Sequence, residues 1–292
     1  MSKLIEWLSV PMERPQSYSP FHLIFTFVGL TVAIVLAFLL RKLNNKQNKI
    51  FLGVIGALLL ISEVIKIIFT SEVLNGGNFA YWVFPFQLCS IPMYLLLIIP
   101  FVKNEKFNAY LYEFLFSITL ATAFITFAEP SGLHKDYVFL TLHSYLWHLI
   151  LVFIGFYVFF SKRACKNKYG FLKGMATFGV VTVIAFILNL CIRQPRMNAF
   201  YISPYVPHEI VVFDTIWETA GWLVADIVYL VAILLMCSAV YYISYGFRCM
   251  RAKKLAKVTE STQNAQEESV QNINKETKPQ NVEEKIDEAK TE

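Results

Sequence analysis

The chain has 292 residues, 56% of them hydrophobic and 16% aromatic, with a mean hydropathy of +0.51 and a formal net charge of +5. Such a composition is hard to keep in water as a monomer, and the small basic excess is spread along the chain rather than gathered into a nucleic-acid footprint. The solvent implied is a lipid bilayer.

In chain order, residues 1–20 form an extracellular or interfacial segment. They carry charges of both signs and no short apolar core with a small-residue cleavage site, so no removable signal is expected. Lys3 to Val10 reads either as a short amphipathic helix turning Leu4, Ile5, Trp7 and Leu8 to lipid or as a frayed end. Seven apolar stretches follow: Phe21 to Leu40, Ile50 to Thr70, Tyr81 to Val102, Tyr110 to Phe127, Val138 to Phe160, Phe171 to Ile192 and Ile216 to Ile243. Each approaches the roughly 20 residues that carry a helix across about 30 Å of hydrocarbon. None alternates in polarity, so barrel strands are excluded. The expected fold is all-α, a polytopic bundle of seven transmembrane helices over residues 21–245. Residues 246–292 read as a basic juxtamembrane stretch and a disordered tail, rich in Glu, Gln, Asn, Lys and Thr.

Lys and Arg fall on alternate connections. Counted up to Lys257, fifteen lie after the first, third, fifth and seventh stretches and five on the other connections. By the positive-inside rule the N-terminus is outside and the C-terminus cytoplasmic, as in a multi-pass protein of the cell membrane.

The five cysteines show neither CxxC nor zinc spacing, and no disulfide framework, metal or cofactor is expected. Charged and polar groups inside a bilayer are costly, so each asks for a reason. Within the stretches lie Glu63, Lys66, Gln87, Glu113, His143, His148, Asn189 and Asp226. Glu63 and Lys66 are three apart and share a helix face, as an ion pair would require. Glu113 is near a helix end and reads as solvated. Taking each stretch as a continuous helix, Cys89 lies about 12 Å below the outer end, and His148 and Asp226 about 15 Å. Asn189 lies nearer the surface, and His143 about 8 Å down. A cysteine level with a histidine is the minimum for thiolate chemistry, and Asn189 or Asp226 would orient the imidazole or a substrate carbonyl. His143 and His148 point about 140° apart around their helix and cannot both face one point. These residues also allow two other readings: a transporter, channel or receptor in which Glu63, Lys66, His148 and Asp226 line a polar path, and plain interhelical hydrogen bonding.

The run Phe84-Pro85-Phe86-Gln87-Leu88-Cys89 resembles the Pro-x-His-Leu-Cys signature of the YwaF-type integral membrane proteins, whose eukaryotic branch is called transmembrane protein 164. Glu63, the run Leu142 to His148 and Ile187-Leu188-Asn189 match in order, and the resemblance covers Phe21 to Ile243. It implies a cysteine-dependent acyltransferase or lipid-acyl hydrolase acting on membrane phospholipids or other acyl chains. Cys89 would be the acyl-accepting nucleophile and His148 its base. Gln87 stands where the family often has His.

Overall fold

The computed structural model describes residues 3–276, and every regular element among them is helical. The order is α1 (Lys3–Leu8), α2 (Pro20–Leu39), α3 (Asn45–Phe69), α4 (Ile91–Ile98), α5 (Glu105–Ala128), α6 (Val138–Phe160), α7 (Gly170–Cys191), α8 (Val211–Ala220) and α9 (Trp222–Glu276). The helix starts have local causes. Pro20 opens α2 behind the Ser19 cap, Asn44 and Gln47 form a reciprocal capping box on α3, and the Asn104 side chain accepts from the first free amides of α5.

Six helical segments are long and apolar enough to cross a membrane: Pro20–Lys42, Asn45–Leu74, Glu105–Ala128, Val138–Phe160, Gly170–Cys191 and Trp222–Asn264. The stretch from Tyr81 to Val102, expected as a continuous helix, is not among them. It holds one 3-10 turn (Tyr81–Val83), a non-helical run at 84–90 and the eight-residue α4. Pro85 and Pro92 are the cause. Each lacks an amide donor; Pro85 pushes Phe84 out of helical geometry to φ −53°, ψ 128°, and Pro92, in the first turn of α4, cannot bond to a turn before it. The segment nevertheless runs the length of α3. Ala80 N donates to Ser71 Oγ at one end (3.1 Å), and Lys49 Nζ, in the first turns of α3, donates to Val102 O at the other (2.8 Å). Gly56 lets the backbone of α4 come close, since a Cβ there would meet Leu96 and the Leu97 amide at 3.0 Å.

The last span also begins differently from expectation. Gly221, at φ 87° and ψ 161°, separates α8 from α9, so the span starts at Trp222 rather than Ile216.

α5 is the centre of the bundle and packs on α6 and α7, while α2 packs on α6 and α3 on α4. Residues 111–121 of α5 are buried without interruption, which a helix achieves only when covered on all sides. Phe27, Leu58, Val180 and Leu235 point outward from α2, α3, α7 and α9, as a lipid-facing surface requires. α1 forms where an amphipathic helix was one of the two expectations, but Ile5 turns inward against Phe69 and Leu140 while Leu4 and Trp7 stay exposed.

The chain divides into two compact units, residues 1–245 and 246–292. In the second, α9 continues through the basic juxtamembrane stretch and on to Glu276, where a disordered tail was expected from Val258 onward. No Gly or Pro follows Gly246 until Pro279, and Ala, Lys, Glu and Gln are good helix formers. Residues 277–292 of the expected tail lie outside the described residues.

Candidate functional site

Cys89 lies at the end of the break, just before the Ser90 cap of α4. Unwound backbone at membrane depth persists only where its polar groups find partners or line a cavity. Here the partners are specific. Tyr94, one turn into α4, donates its hydroxyl to Pro85 O (2.8 Å), Ser90 N donates to Gln87 O (2.8 Å), and Trp147 Nε1 of α6 donates to Cys89 O (3.0 Å). The depth reckoned from a continuous helix does not apply, because the residues before Cys89 are not helical. Trp147 fixes the level instead, beside His148 in sequence.

Glu63 and Lys66 form the ion pair their spacing suggested, Nζ to Oε1 2.6 Å, with the carboxylate side chain 2% exposed. The pair lies within electrostatic reach of Cys89. His143 joins it from α6: its Nε2 is 3.3 Å from Ser62 Oγ and 3.9 Å from Glu63 Oε2. The His143 ring stacks on Trp147 (5.4 Å, 25°), so one face of α6 carries both the histidine beside the ion pair and the indole that holds the cysteine backbone.

His148 faces elsewhere, as its angular offset from His143 predicted. Its Nδ1–H donates to Ser144 O (2.8 Å) and its ring meets Phe127 of α5 edge-on. That bond fixes the tautomer and leaves Nε2 as the proton acceptor. Among the described residues no hydrogen bond joins His148 to Cys89.

Gln87 and Asn189 are brackets. Gln87 Nε2 donates to Asn198 O (2.8 Å) and its Oε1 accepts from Phe200 N (3.1 Å). Asn189 Nδ2 donates to Ala199 O (2.9 Å) and its Oδ1 accepts from Ala199 N (2.8 Å). Two carboxamides from separate segments thus hold three consecutive residues of the α7–α8 connection. Phe200 and Tyr201 there adopt left-handed φ values of 58°, costing about 1 kcal/mol or more each. The bracketed loop stacks Phe200 between Phe86 and Phe178.

Asp226, with α9 starting at Trp222, is one turn inside its helix rather than the ten residues reckoned from Ile216. Its Oδ1 lies 3.5 Å from Nε2 of His208, both groups being nearly fully buried. His208 was not singled out from sequence, because it lies in the polar connection and not in an apolar stretch. Tyr229 lies one turn beyond Asp226 with its ring 5.0 Å from that of His208, and Tyr201 stacks on His208 from the loop. Both tyrosines are within electrostatic reach of Cys89. Trp147, equally unforeseen, carried no polar signal beyond its indole N–H.

Glu113, expected in solvent, is 4% exposed and accepts from Cys165 N (2.9 Å), pinning the α6–α7 connection. Among the described residues no group of three His, Cys, Asp or Glu side chains is arranged to hold a metal ion.

The family model described as the TMEM164 family matches residues 17–245, the whole helical bundle with the site inside it. No curated protein and no solved structure matches the chain.

Proposed function

The chain belongs to the TMEM164 family of membrane proteins, and we propose that it is a cysteine-dependent acyltransferase or lipid-acyl hydrolase of the cell membrane. The observation that carries this reading is the break itself: a cysteine stands at the start of a half-helix, with its backbone held by Trp147 and an ion pair within reach. In the reaction, the Cys89 thiolate attacks the carbonyl of a lipid ester and expels the alcohol, which takes the proton that His148 Nε2 removed from the thiol. A hydroxyl acceptor or water then attacks the thioester, with His148 again taking the proton, and Cys89 is released as thiol. The tautomer set by Ser144 suits His148 to this task. A turn of the Cys89 and His148 side chains toward each other precedes attack. Apolar flanks on α3 and α6 admit an acyl chain from the bilayer.

In this reading the segment 81–102 is a seventh crossing, supported by its path from Ser71 to Lys49 along α3 and by the basic asymmetry of the connections. The N-terminus is then outside and the C-terminus cytoplasmic.

One labelling experiment tests site and topology together. Full-length protein in sealed cells is treated with an acyl-chain thiol probe, a membrane-impermeant maleimide, and lipid extraction for profiling. Cys89 is expected to label selectively with the acyl probe over Cys191 and Cys237, while Cys249 stays shielded from the impermeant reagent. Cys89→Ser and His148→Ala should abolish the lipid changes at unchanged protein level. Lipid profiles unaltered by Cys89→Ser would refute the enzyme, and Cys249 labelled from outside would refute the orientation.

A further inference from the structure

About 20 Å along α3 from Glu63, at the helix end marked by Lys49, a second feature is built from different residues. The starts of α3 and α5 and the α6–α7 connection enclose an open-mouthed cavity of about 270 Å³ lined by Asn45, Lys49, Glu105, Tyr112, Arg163 and Lys166. That is smaller than the ~300 to 1,000 Å³ typical of drug-sized ligands. It suits a compact headgroup.

The lining is cationic and held in place. Arg163 donates through Nη2 to Leu43 O (3.0 Å) and Asn45 Oδ1 (3.3 Å), which aims the guanidinium without neutralising it. Lys49 is shared between Val102 O and Glu105 (2.8 Å each). Lys166 is exposed and has no partner among the described residues. Three cations against one carboxylate leave two positive charges around the space, and two helix N-termini, those of α3 and α5, add partial positive charge of the same sign. The floor is equally fixed: the Tyr112 hydroxyl accepts from Asn48 Nδ2 (2.8 Å), and Tyr157 donates to Asn48 Oδ1 (2.8 Å). The connection that carries Arg163 and Lys166 holds two non-glycine residues at left-handed φ, Lys162 and Cys165, and is anchored by the buried Glu113 carboxylate. A fold that spends strain and a buried carboxylate to set this loop keeps its two cations at a defined place.

We propose that this cavity binds a phosphate group, that of an anionic phospholipid in the adjacent leaflet, at a site separate from Cys89 and independent of any acyl transfer there. The planar guanidinium offers paired donors to phosphate oxygens, and Lys166 closes over the anion as a point charge. The mouth opens where the connections after the first, third and fifth apolar stretches bring ten basic residues, from Arg41 to Lys49, at Lys103 and Lys106, and from Lys162 to Lys168, which is where a headgroup lies.

The test uses the full-length chain purified in neutral detergent, with binding read by native mass spectrometry. The probes are dioleoylphosphatidylglycerol, dioleoylphosphatidylcholine and inorganic phosphate. Phosphatidylglycerol should bind in preference to phosphatidylcholine. Lys166→Gln should weaken it about fivefold, and Glu105→Gln, which removes the opposing charge, should tighten it by a similar factor. The opposite signs separate a site effect from general destabilisation. Inorganic phosphate that shows the same two shifts and displaces the lipid would assign the site to a soluble phosphate and overturn the lipid source. Equal binding of both lipids, or the same affinity in both variants as in the parent, would overturn the site altogether.

Discussion

At the Cys89 end of the bundle polar side chains close on one another, whereas at the Asn45 end they surround open space. Glu63, Lys66, Ser62 and His143 make one connected group, and Gln87 and Asn189 spend all four of their amide functions on residues 198–200. At the other end Arg163, Lys49 and Lys166 line a cavity with a single carboxylate among them. The difference follows from dielectric. Groups at membrane depth have no water to fall back on, so an unpaired one is expensive, while groups at the headgroup level can remain charged and available. Glu63, Lys66, Gln87 and Asn189 therefore hold the fold around Cys89, whereas Lys49, Arg163 and Lys166 stay available to a ligand.

The sharpest way to break that contrast is at the ion pair. Lys66→Met leaves the Glu63 carboxylate buried and uncompensated, and should cost about 3 kcal/mol or more in denaturant unfolding of the micelle-bound protein. Adding Glu63→Gln should recover most of it. A single variant as stable as the parent would show that water reaches Glu63. A smaller loss is expected from Asn189→Ala, about 2 kcal/mol by the same measurement, because the Ala199 amide and carbonyl lose their partners. Limited proteolysis should then cut within 193–210 before any other connection; cleavage elsewhere first would mean that Gln87 alone holds the loop.

The smallest effect concerns pH. His134, in the α5–α6 connection, is packed with His22 and bonded to the Tyr145 hydroxyl (2.9 Å). Burial first, and the neighbouring His22 second, hold its pKa below the usual 6.5. A group depressed in this way contributes stability that is full above its unfolded value and lost as pH falls through the folded one. Unfolding should therefore become easier below about pH 6.5, and His134→Gln should flatten that slope. A parent protein with no slope there would remove His134 from the account.

Much of this organisation was legible in the sequence. The apolar stretches mark α2, α3, α5, α6 and α7 to within five residues, and the i,i+3 spacing of Glu63 and Lys66 foretold their contact. Reading Tyr81 to Val102 as one helix failed because hydropathy is blind to backbone geometry, although Pro85 and Pro92 carried the signal. The start of the last span was read at Ile216 for a similar reason, since Gly221 ends α8 where hydropathy runs on. Gln87 and Asn189 were recognised as polar groups needing a reason, but their partner is the backbone of a loop 10 and more than 100 residues away, which no local pattern specifies. His208 escaped because it reaches Asp226 from a connection and not from a span.

The break at 84–90 also bears on how the protein is made. Cys89 O obtains its donor from Trp147, 58 residues later, and Gln87 finds its partners 111 and 113 residues later. α4, at eight residues, is too short to be stable alone. When this segment leaves the ribosome it therefore lacks the partners that hold its unwound backbone. It reaches its final state only after α6 and the loop at 198–200 have been synthesised, so the part of the chain that carries Cys89 is finished nearly last.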